Sequence, residues 1–256
     1  MLFTTDLRKK KMLNFNNIPG LVLSAVAVLI ALTVHEFSHG YAAYKLGDRT
    51  AYLTGRLTLN PIKHLDPLGA LCMLFFRFGW AKPVPIDPRN FKKPKRDFAI
   101  TAIAGPLSNI ILGFIFGFFY LLGFKFLILA EGFTATLLYN LCYFLFAFHA
   151  VNIGLGIFNL IPIMPFDGSR ILNAVLPERI YFKIMKYERK IYLGVLAWLL
   201  LGPYAYRAAL SVPFISSSGV LSGLAKILSL GDLISDAISA ISSLILSFWQ
   251  LIPFLS

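Results

Sequence analysis

A His-Glu-x-x-His pentapeptide, running from His35 to His39, lies near the end of an apolar run that begins around Ile18. Ionisable groups are costly inside a segment long enough to cross a bilayer, so they mark functional sites there. Residues i and i+4 share one face of a helix, so His35 and His39 can reach the same metal ion. Glu36 lies beside that face, where a carboxylate can act as a general base on water. The pattern therefore predicts a membrane helix that contributes two ligands to a zinc site.

The composition supports a membrane protein. Of the 256 residues, 57% are hydrophobic and only 14% are charged, whereas soluble domains carry about 25% charged residues. The formal net charge is +12, but the basic residues cluster in loops between apolar runs, which is typical of loops that face anionic lipid. This distribution argues against nucleic acid as a partner. Cys72 and Cys142 both lie in apolar stretches, so neither a disulfide framework nor a Cys-rich metal site is supported.

We expect an all-α polytopic membrane protein with about five to six transmembrane helices, because several stretches reach the roughly 20 apolar residues that a span requires. The predicted spans are 18–45, 98–124, 134–161, 191–210 and 237–255, the last preceded by an interfacial helix.

The segment 46–97, between the first two predicted spans, is polar at both ends and contains many prolines. Its apolar patch Leu68–Trp80 has 13 residues, too few to cross as a helix, and predicts a re-entrant or interfacial element. The weak alternation within Ala51–Leu59 predicts a short strand or β-hairpin.

We expect three parts along the chain: a basic N-terminal segment (1–17), a membrane core (18–210) and a C-terminal membrane-associated segment (211–256). Arg8 to Lys11, followed by an apolar run, is similar to a signal peptide. The run is long and lacks a convincing cleavage site, so we expect it to be retained.

The distribution of Lys and Arg predicts the orientation. Eleven basic residues lie in 45–97 and six in 163–190, and the first three predicted spans place both segments on one side of the membrane. Only five basic residues, Arg8 to Lys11 and Lys125, lie on the other side. The positive-inside rule therefore places both large basic segments in the cytoplasm, although Arg8 to Lys11 favour the reverse orientation. With this topology, the His-Glu-x-x-His helix and the distant segment Asn159–Gly168 end at similar depth on the same side of the membrane.

A catalytic zinc site usually has three protein ligands, so a third must come from elsewhere in the chain. Asp167 is the carboxylate candidate, since it follows prolines at 162 and 165 that must interrupt the third span. Its alternative role is to cap the helix that follows. His149 lies in mid-span among aromatic residues, as is typical of a core histidine, and His64 lies in a proline-flanked loop, where a supporting role is expected.

Polar residues near the same depth have two readings each. Asn159 lies eight residues before Asp167 and can donate to a developing oxyanion, or it can satisfy backbone groups freed by Pro162. Gly105 and Asn109 are more typical of close helix packing and an interhelical hydrogen bond.

Taken together, these motifs resemble the site-2 protease family of intramembrane zinc metalloproteases, and in particular its compact members. The resemblance covers about residues 20–205 and also rests on 59–67, 79–85, 87–91 and 104–109. It implies that His35, His39 and Asp167 bind one Zn²⁺ per chain and that Glu36 is the catalytic acid/base. Asn159 matches the family's active-site asparagine, which steadies the substrate or the oxyanion.

The resemblance also implies a function: hydrolysis of peptide bonds in single-span or multi-span membrane proteins, as in regulated intramembrane proteolysis. The expected location is the plasma or inner membrane, with the active site near the cytoplasmic side of the bilayer and a regulatory membrane partner as a further expectation. The alternative is a zinc-binding membrane protein without protease activity, acting in assembly or transport. Phe166 replaces a common Leu of the family, and 46–97 is too short for a PDZ or nucleotide-binding domain. Substrate choice is therefore expected to rest on the membrane core or on partners.

Overall fold

A computed structural model describes residues 18–69, 81–226 and 229–255 of the chain. Its helices are α1 (Ile18–Lys45), α2 (Thr50–Leu53), α3 (Pro61–His64), α4 (Pro94–Ile128), α5 (Gly132–Asn159), α6 (Asp167–Val175), α7 (Glu178–Lys186), α8 (Glu188–Leu210), α9 (Pro213–Ser216), α10 (Gly219–Ala225) and α11 (Leu230–Trp249), with a 3-10 turn at Pro88–Asn90.

Four of these helices, α1, α4, α5 and α11, are long and apolar enough to cross a membrane. Helix α8 is bent by 49° between Leu199 and Tyr204 and adds a fifth span if its two parts cross together. The prediction of an all-α polytopic membrane protein is therefore confirmed, with four to five candidate spans where five to six are expected. The last span begins earlier than expected, because the Ser229 side chain accepts from the Asp232 N–H and caps α11 there.

The strand or hairpin expected within 51–59 is wrong. Thr50–Leu53 forms the short helix α2, and the chain then turns at Gly55, whose φ is +66°. The cause is local: the Asp48 carboxylate accepts from both the N–H and the hydroxyl of Thr50, which favours a turn over an extended chain. In the described ranges, β-type pairing is confined to a single bridge between Leu65 and Ala81. Most of the expected re-entrant patch, 70–80, lies outside the described residues.

Small side chains on α1 allow the first three spans to pack closely. Ala27 and Ala31 are fully buried and form a core cluster with Phe148 of α5. Partly buried side chains of α4 and α5, including Leu112 and Phe116, surround this cluster. Short side chains let helix backbones approach in a membrane, where packing drives association. The polar face of α1 is thereby held against α4.

Helix α1 ends in a glycine motif that carries the chain back over the helix. Gly47 has a φ of +111°, which a side chain rarely adopts. Its N–H donates to the Tyr44 carbonyl, and the Asp48 N–H donates to the Ala43 carbonyl. These two bonds define a Schellman motif. They hold Asp48, which is fully buried, directly beneath the last turn of α1.

The third span ends at Asn159, as the prolines at 162 and 165 predict, and α6 begins at Asp167. The intervening loop, which includes a cis Met164–Pro165 peptide bond, packs tightly onto the start of α6. A Cβ on Gly168 would lie 2.3 Å from the Leu160 carbonyl oxygen, so only glycine fits there. This close approach turns α6 back toward α1 and α4.

Candidate metal centre

Three potential ligand atoms meet where α1 and α6 come together. The Nε2 atoms of His35 and His39 are 3.0 Å apart, and each lies 3.1 Å from Oδ2 of Asp167. Both histidines are 4% exposed. In the described part of the chain, this is the one group of three or more His, Cys, Asp or Glu residues that could hold a metal ion. Side chains more than 120 positions apart in sequence therefore share one buried site.

The local structure explains how each side chain reaches the site. His35 and His39 are one turn apart on α1 and point to the same side. Asp167 is the first residue of α6, while Phe166 occupies the N-cap position. The Asp167 carboxylate is directed at the two imidazoles, and this geometry favours the ligand interpretation of Asp167 over the capping one.

The other nitrogen of each imidazole is also engaged. Nδ1 of His39 lies 2.7 Å from the Thr101 carbonyl oxygen, and Nδ1 of His35 lies 2.5 Å from Oδ1 of Asn109. A carbonyl oxygen only accepts, so Nδ1 of His39 carries the proton and its Nε2 presents a lone pair. This is the outer contact that metal-binding histidines usually make.

The three ligand atoms fit zinc. Two imidazole lone pairs and a carboxylate oxygen all accept hydrogen bonds and cannot donate them to one another, so a cation is needed to hold them together. The edge of a zinc tetrahedron with bonds of roughly 2.0–2.1 Å is about 3.3 Å. The separations of 3.0 and 3.1 Å between these atoms are close to that value.

Gly105 of α4 makes room for the two rings. A Cβ at this position would lie 2.3 Å from Nε2 of His39 and 2.8 Å from Cε1 of His35. The helix backbone of α4 therefore forms one wall of the site. The expected role of Gly105 in close packing is correct, but the groups packed against it are the two imidazoles.

Glu36 contacts the polar segment that follows α3. Its Oε2 accepts a hydrogen bond of 2.9 Å from the Val84 backbone N–H. The Arg56 guanidinium donates to the carbonyls of Lys82 and Pro83, at 2.7 and 3.2 Å, and so fixes the two residues before Val84. One carboxylate oxygen of Glu36 is thus fixed by the backbone.

The remaining candidate residues from the sequence, Asn159, His64 and His149, bond backbone carbonyls. The Asn159 amide donates to the Leu155 carbonyl on its own helix, at 3.0 Å. His64 bonds the Thr58 carbonyl at 2.8 Å, and His149 bonds the Gly113 carbonyl at 2.7 Å. His64 and His149 are buried and both serve backbone carbonyls, in line with the structural roles expected of them.

Sequence reasoning did not find four contributors to the site: the Asn109 amide, the Thr101 carbonyl, the Val84 N–H and Arg56. Asn109 had a visible signal, since a polar amide in the middle of an apolar span is costly without a partner. Its interhelical hydrogen bond was expected, but not that His35 would be the partner. Backbone groups such as those of Thr101 and Val84 leave no sequence signal at all.

A helical membrane protein with a buried His–His–Asp centre and a glutamate beside it is thus defined by its fold and site. Comparison with known proteins identifies the family: residues 23–202 match peptidase family M50, and the chain belongs to that family. It is therefore a multi-pass membrane protein and a zinc metalloendopeptidase of the site-2 protease type.

Individual relatives agree with this assignment. The chain is 43% identical over 165 residues to the putative zinc metalloprotease YwhC of Bacillus subtilis, covering 64% of this chain and 73% of that protein. It is 31% identical over 156 residues to the putative zinc metalloprotease MJ0611 of Methanocaldococcus jannaschii, covering 59% and 70%. The zinc metalloprotease MJ0392 of the same archaeon is 28% identical over 167 residues, 65% of this chain but 38% of that longer protein. No solved structure matches the chain.

Proposed function

We propose that this chain hydrolyses peptide bonds within or near the spanning helices of other membrane proteins, with His35, His39 and Asp167 as zinc ligands and Glu36 as the acid/base. The observation that carries the proposal is the convergence of the three donor atoms within 3.1 Å of one another in a buried site. Glu36 follows His35 directly on α1, where a glutamate is otherwise costly.

When bound, zinc supplies Lewis acidity and lowers the pKa of a water molecule. Glu36 takes the proton of the attacking water and returns it to the leaving amine. The Val84 N–H holds one of its carboxylate oxygens, at 2.9 Å, and so limits the orientations open to the other.

The substrate has to present an extended peptide at this site, because a helix hides its carbonyls in internal hydrogen bonds. We propose that a membrane-spanning substrate unwinds locally before cleavage. The sequence resemblance supports Asn159 as the residue that steadies the oxyanion or the substrate. Its amide donates to the Leu155 carbonyl, so this role requires the side chain to rotate when substrate binds.

We place the site near the cytoplasmic side of the plasma or inner membrane. The basic residues of 45–97 and 163–190 support this orientation through the positive-inside rule. We also propose a regulatory membrane partner, which is supported by the family resemblance alone.

The test is cleavage of a tagged single-span reporter co-expressed with the wild-type chain, with Glu36→Gln and with Asp167→Ala, together with the zinc content of each purified protein. Asp236→Ala, which removes an exposed carboxylate far along the chain, is the matched control. We expect both site variants to abolish cleavage, with zinc retained in Glu36→Gln and reduced in Asp167→Ala. Cleavage that persists in Glu36→Gln would assign the proteolysis to another enzyme. Zinc bound by a chain that cleaves no reporter would favour the assembly or transport alternative.

A further inference from the structure

Two buried asparagines extend the metal centre across three spans. Nδ2 of Asn109 donates to Oδ1 of Asn152 at 2.7 Å and to the Ala31 carbonyl at 3.1 Å. Nδ2 of Asn152 donates to the Phe148 carbonyl at 2.8 Å. Oδ1 of Asn109 faces Nδ1 of His35. The hydrogen bonds therefore form a continuous chain from α5 through α4 to His35 on α1.

Backbone carbonyls fix the donor-to-acceptor direction of these hydrogen bonds. The Phe148 carbonyl can only accept, so the nitrogen of the Asn152 amide faces it and the oxygen faces Asn109. The Ala31 carbonyl likewise takes the nitrogen of the Asn109 amide. The Asn109 oxygen must then face His35, and His35 must donate from Nδ1. Its Nε2 is left as a lone pair pointing at His39 and Asp167.

Both asparagines are fully buried, so neither can exchange these partners for water. An unpaired amide at this depth costs the full desolvation penalty of the group. These hydrogen bonds satisfy both Asn109 N–H groups and the Asn109 oxygen at once. An alternative orientation of the Asn109 amide would place its oxygen against the Ala31 carbonyl and the Asn152 oxygen, so that acceptors would face each other in both contacts.

We propose that Asn109 and Asn152 are positioning residues that hold His35 in the tautomer and orientation that bind zinc, and so set the zinc affinity of the site. The proposal rests on the proposed role of His35 as a zinc ligand. It assigns a role to Asn152, which lies on a different helix from all three ligands and touches none of them.

The test measures zinc affinity of the purified full chain in detergent by competition with a chromophoric chelator, and needs no substrate. The variants are Asn109→Leu and Asn152→Leu, which keep the branched shape and the number of heavy atoms but remove the polar groups. Outer-shell partners of metal ligands typically contribute 10- to 100-fold in affinity. We expect a loss in that range for Asn109→Leu and about tenfold for Asn152→Leu, because the Ala31 carbonyl still orients Asn109 in the latter.

Asn140→Leu is the matched control. Asn140 lies on the same helix as Asn152 and also donates to the carbonyl four residues before it, at 3.0 Å, but it lies outside the chain to His35. We expect its zinc affinity to equal that of the wild type.

Asn152→Asp is the rescue variant, because a buried, neutral carboxylic acid keeps an acceptor for Asn109 and a donor for Phe148. We expect it to restore the affinity lost in Asn152→Leu. The visible spectrum of the cobalt-substituted proteins provides a second reading of the metal geometry, and we expect it to change in both Leu variants and to remain wild-type in the control.

Wild-type affinity and an unchanged cobalt spectrum in Asn109→Leu and Asn152→Leu would overturn the proposal. Equal losses in Asn152→Leu and the Asn140→Leu control would do so too, since they would show a general effect of replacing an amide on α5. If the wild type binds no zinc, the ligand role of His35 fails and this proposal fails with it. A wild-type protein that binds zinc but cleaves no reporter would instead remove only the protease role.

Discussion

At the scale of single residues, the proposed metal centre requires a glycine at position 105 as much as it requires the ligands. The two imidazoles lie against the backbone of α4 at Gly105, where a Cβ would be 2.3 Å from Nε2 of His39. That contact is far shorter than van der Waals separation, and the obstructing group is itself a proposed ligand. A methyl group at this position therefore displaces an imidazole or moves α4 away from α1.

We expect Gly105→Ala to bind zinc much more weakly than the wild type, with at least a tenfold loss of affinity, since moving one ligand is comparable to losing its outer contact. Gly194→Ala is the matched control, because Gly194 is also helical and a Cβ there meets nothing within 4 Å. Zinc competition on both purified variants checks the prediction. Equal affinities for Gly105→Ala and the wild type would show that α4 can yield without cost.

The sequence predicts the site residues unevenly, for physical reasons. The pair His35 and His39 follows from helical periodicity alone, and Asp167 follows from a broken span at the same depth. Asn109 was correctly expected to bond across helices, but which group it meets depends on how α1 and α4 rotate against each other. That rotation is set by small side chains such as Ala31, and no local pattern encodes it.

At the scale of elements, the segment after α3 acts on α1 from outside the helix. Its Val84 side chain packs against Gly40, where an added Cβ would lie 3.1 Å from Cγ1, and its N–H reaches Glu36 one turn earlier. Arg56 fixes this segment through the carbonyls of Lys82 and Pro83. This segment, which the sequence marks only by its prolines and by its resemblance to the family, thus positions the proposed acid/base.

We expect Arg56→Ala to lower the cleavage rate by roughly 10- to 100-fold, because small displacements of a catalytic group have effects of that size. Zinc content should stay at the wild-type level, since Arg56 contacts none of the three ligands. Reporter cleavage and metal analysis on the same preparations check this. Arg49→Ala, which removes an exposed arginine between α1 and α2, should cleave normally, and equal activity in both variants would contradict the prediction.

Asp48 joins the end of α1 to the same segment and should make its stability depend on pH. Burial opposes ionisation, but hydrogen bonds from Thr50, Asn90 and the Asp87 N–H outweigh it and lower the Asp48 pKa below its ordinary value of 3.8. A lowered pKa in the folded state stabilises the protein fully above the ordinary value. The contribution then disappears as the pH falls through the lowered one.

We therefore expect Asp48→Asn to be destabilised by roughly 1–3 kcal/mol at neutral pH, where the amide leaves at least one of these donors unpaired. The difference from wild type should narrow only when the pH falls below about 4. Thermal unfolding of both proteins in detergent between pH 7 and pH 3 measures it. A difference that stays constant over this range would show that the charge of Asp48 contributes nothing.

The short strand expected at 51–59 failed because of this same carboxylate. The alternation of apolar and polar residues there is weak, and two hydrogen bonds from Thr50 to Asp48 outweigh it by starting a helical turn. Side-chain to backbone bonds of this kind act over two residues, whereas periodicity is read over a longer window. The first three apolar spans lie close to their predicted bounds, because they have no such competitor.

At the scale of the whole molecule, the contacts of α11 determine how many times the chain crosses the membrane. Ile238, in the first half of α11, lies 3.3 Å from the Cβ position of Gly154, near the end of α5 that leads to the metal centre. At the other end, the Lys125 ammonium contacts the Phe254 carbonyl near the opposite end of α4. Helix α11 therefore begins at the face of the membrane that carries the metal centre and ends at the other face.

Helix α8 follows α6 and α7 at the metal-centre face, and the chain is back at that face when α11 begins. Lys226, in the connection that leads from α8 to α11, pairs with Asp236 of α11. We therefore predict that the bent helix starts and ends on one side of the bilayer, and that the chain crosses the membrane four times without a fifth crossing through α8.

We expect a cysteine at Ser217, after α8, to react with a membrane-impermeant maleimide from the same side as one at Lys92, and a cysteine at Glu131 to react from the opposite side. All three positions are exposed, and the labelling is done in a chain whose two native cysteines are replaced by alanine. Intact cells and inside-out vesicles give the two sides, and retained zinc shows that each variant is folded. Labelling of Ser217→Cys together with Glu131→Cys would mean that α8 crosses the membrane, and α11 would then have to run in the opposite direction to the one its contacts with Gly154 and Lys125 define.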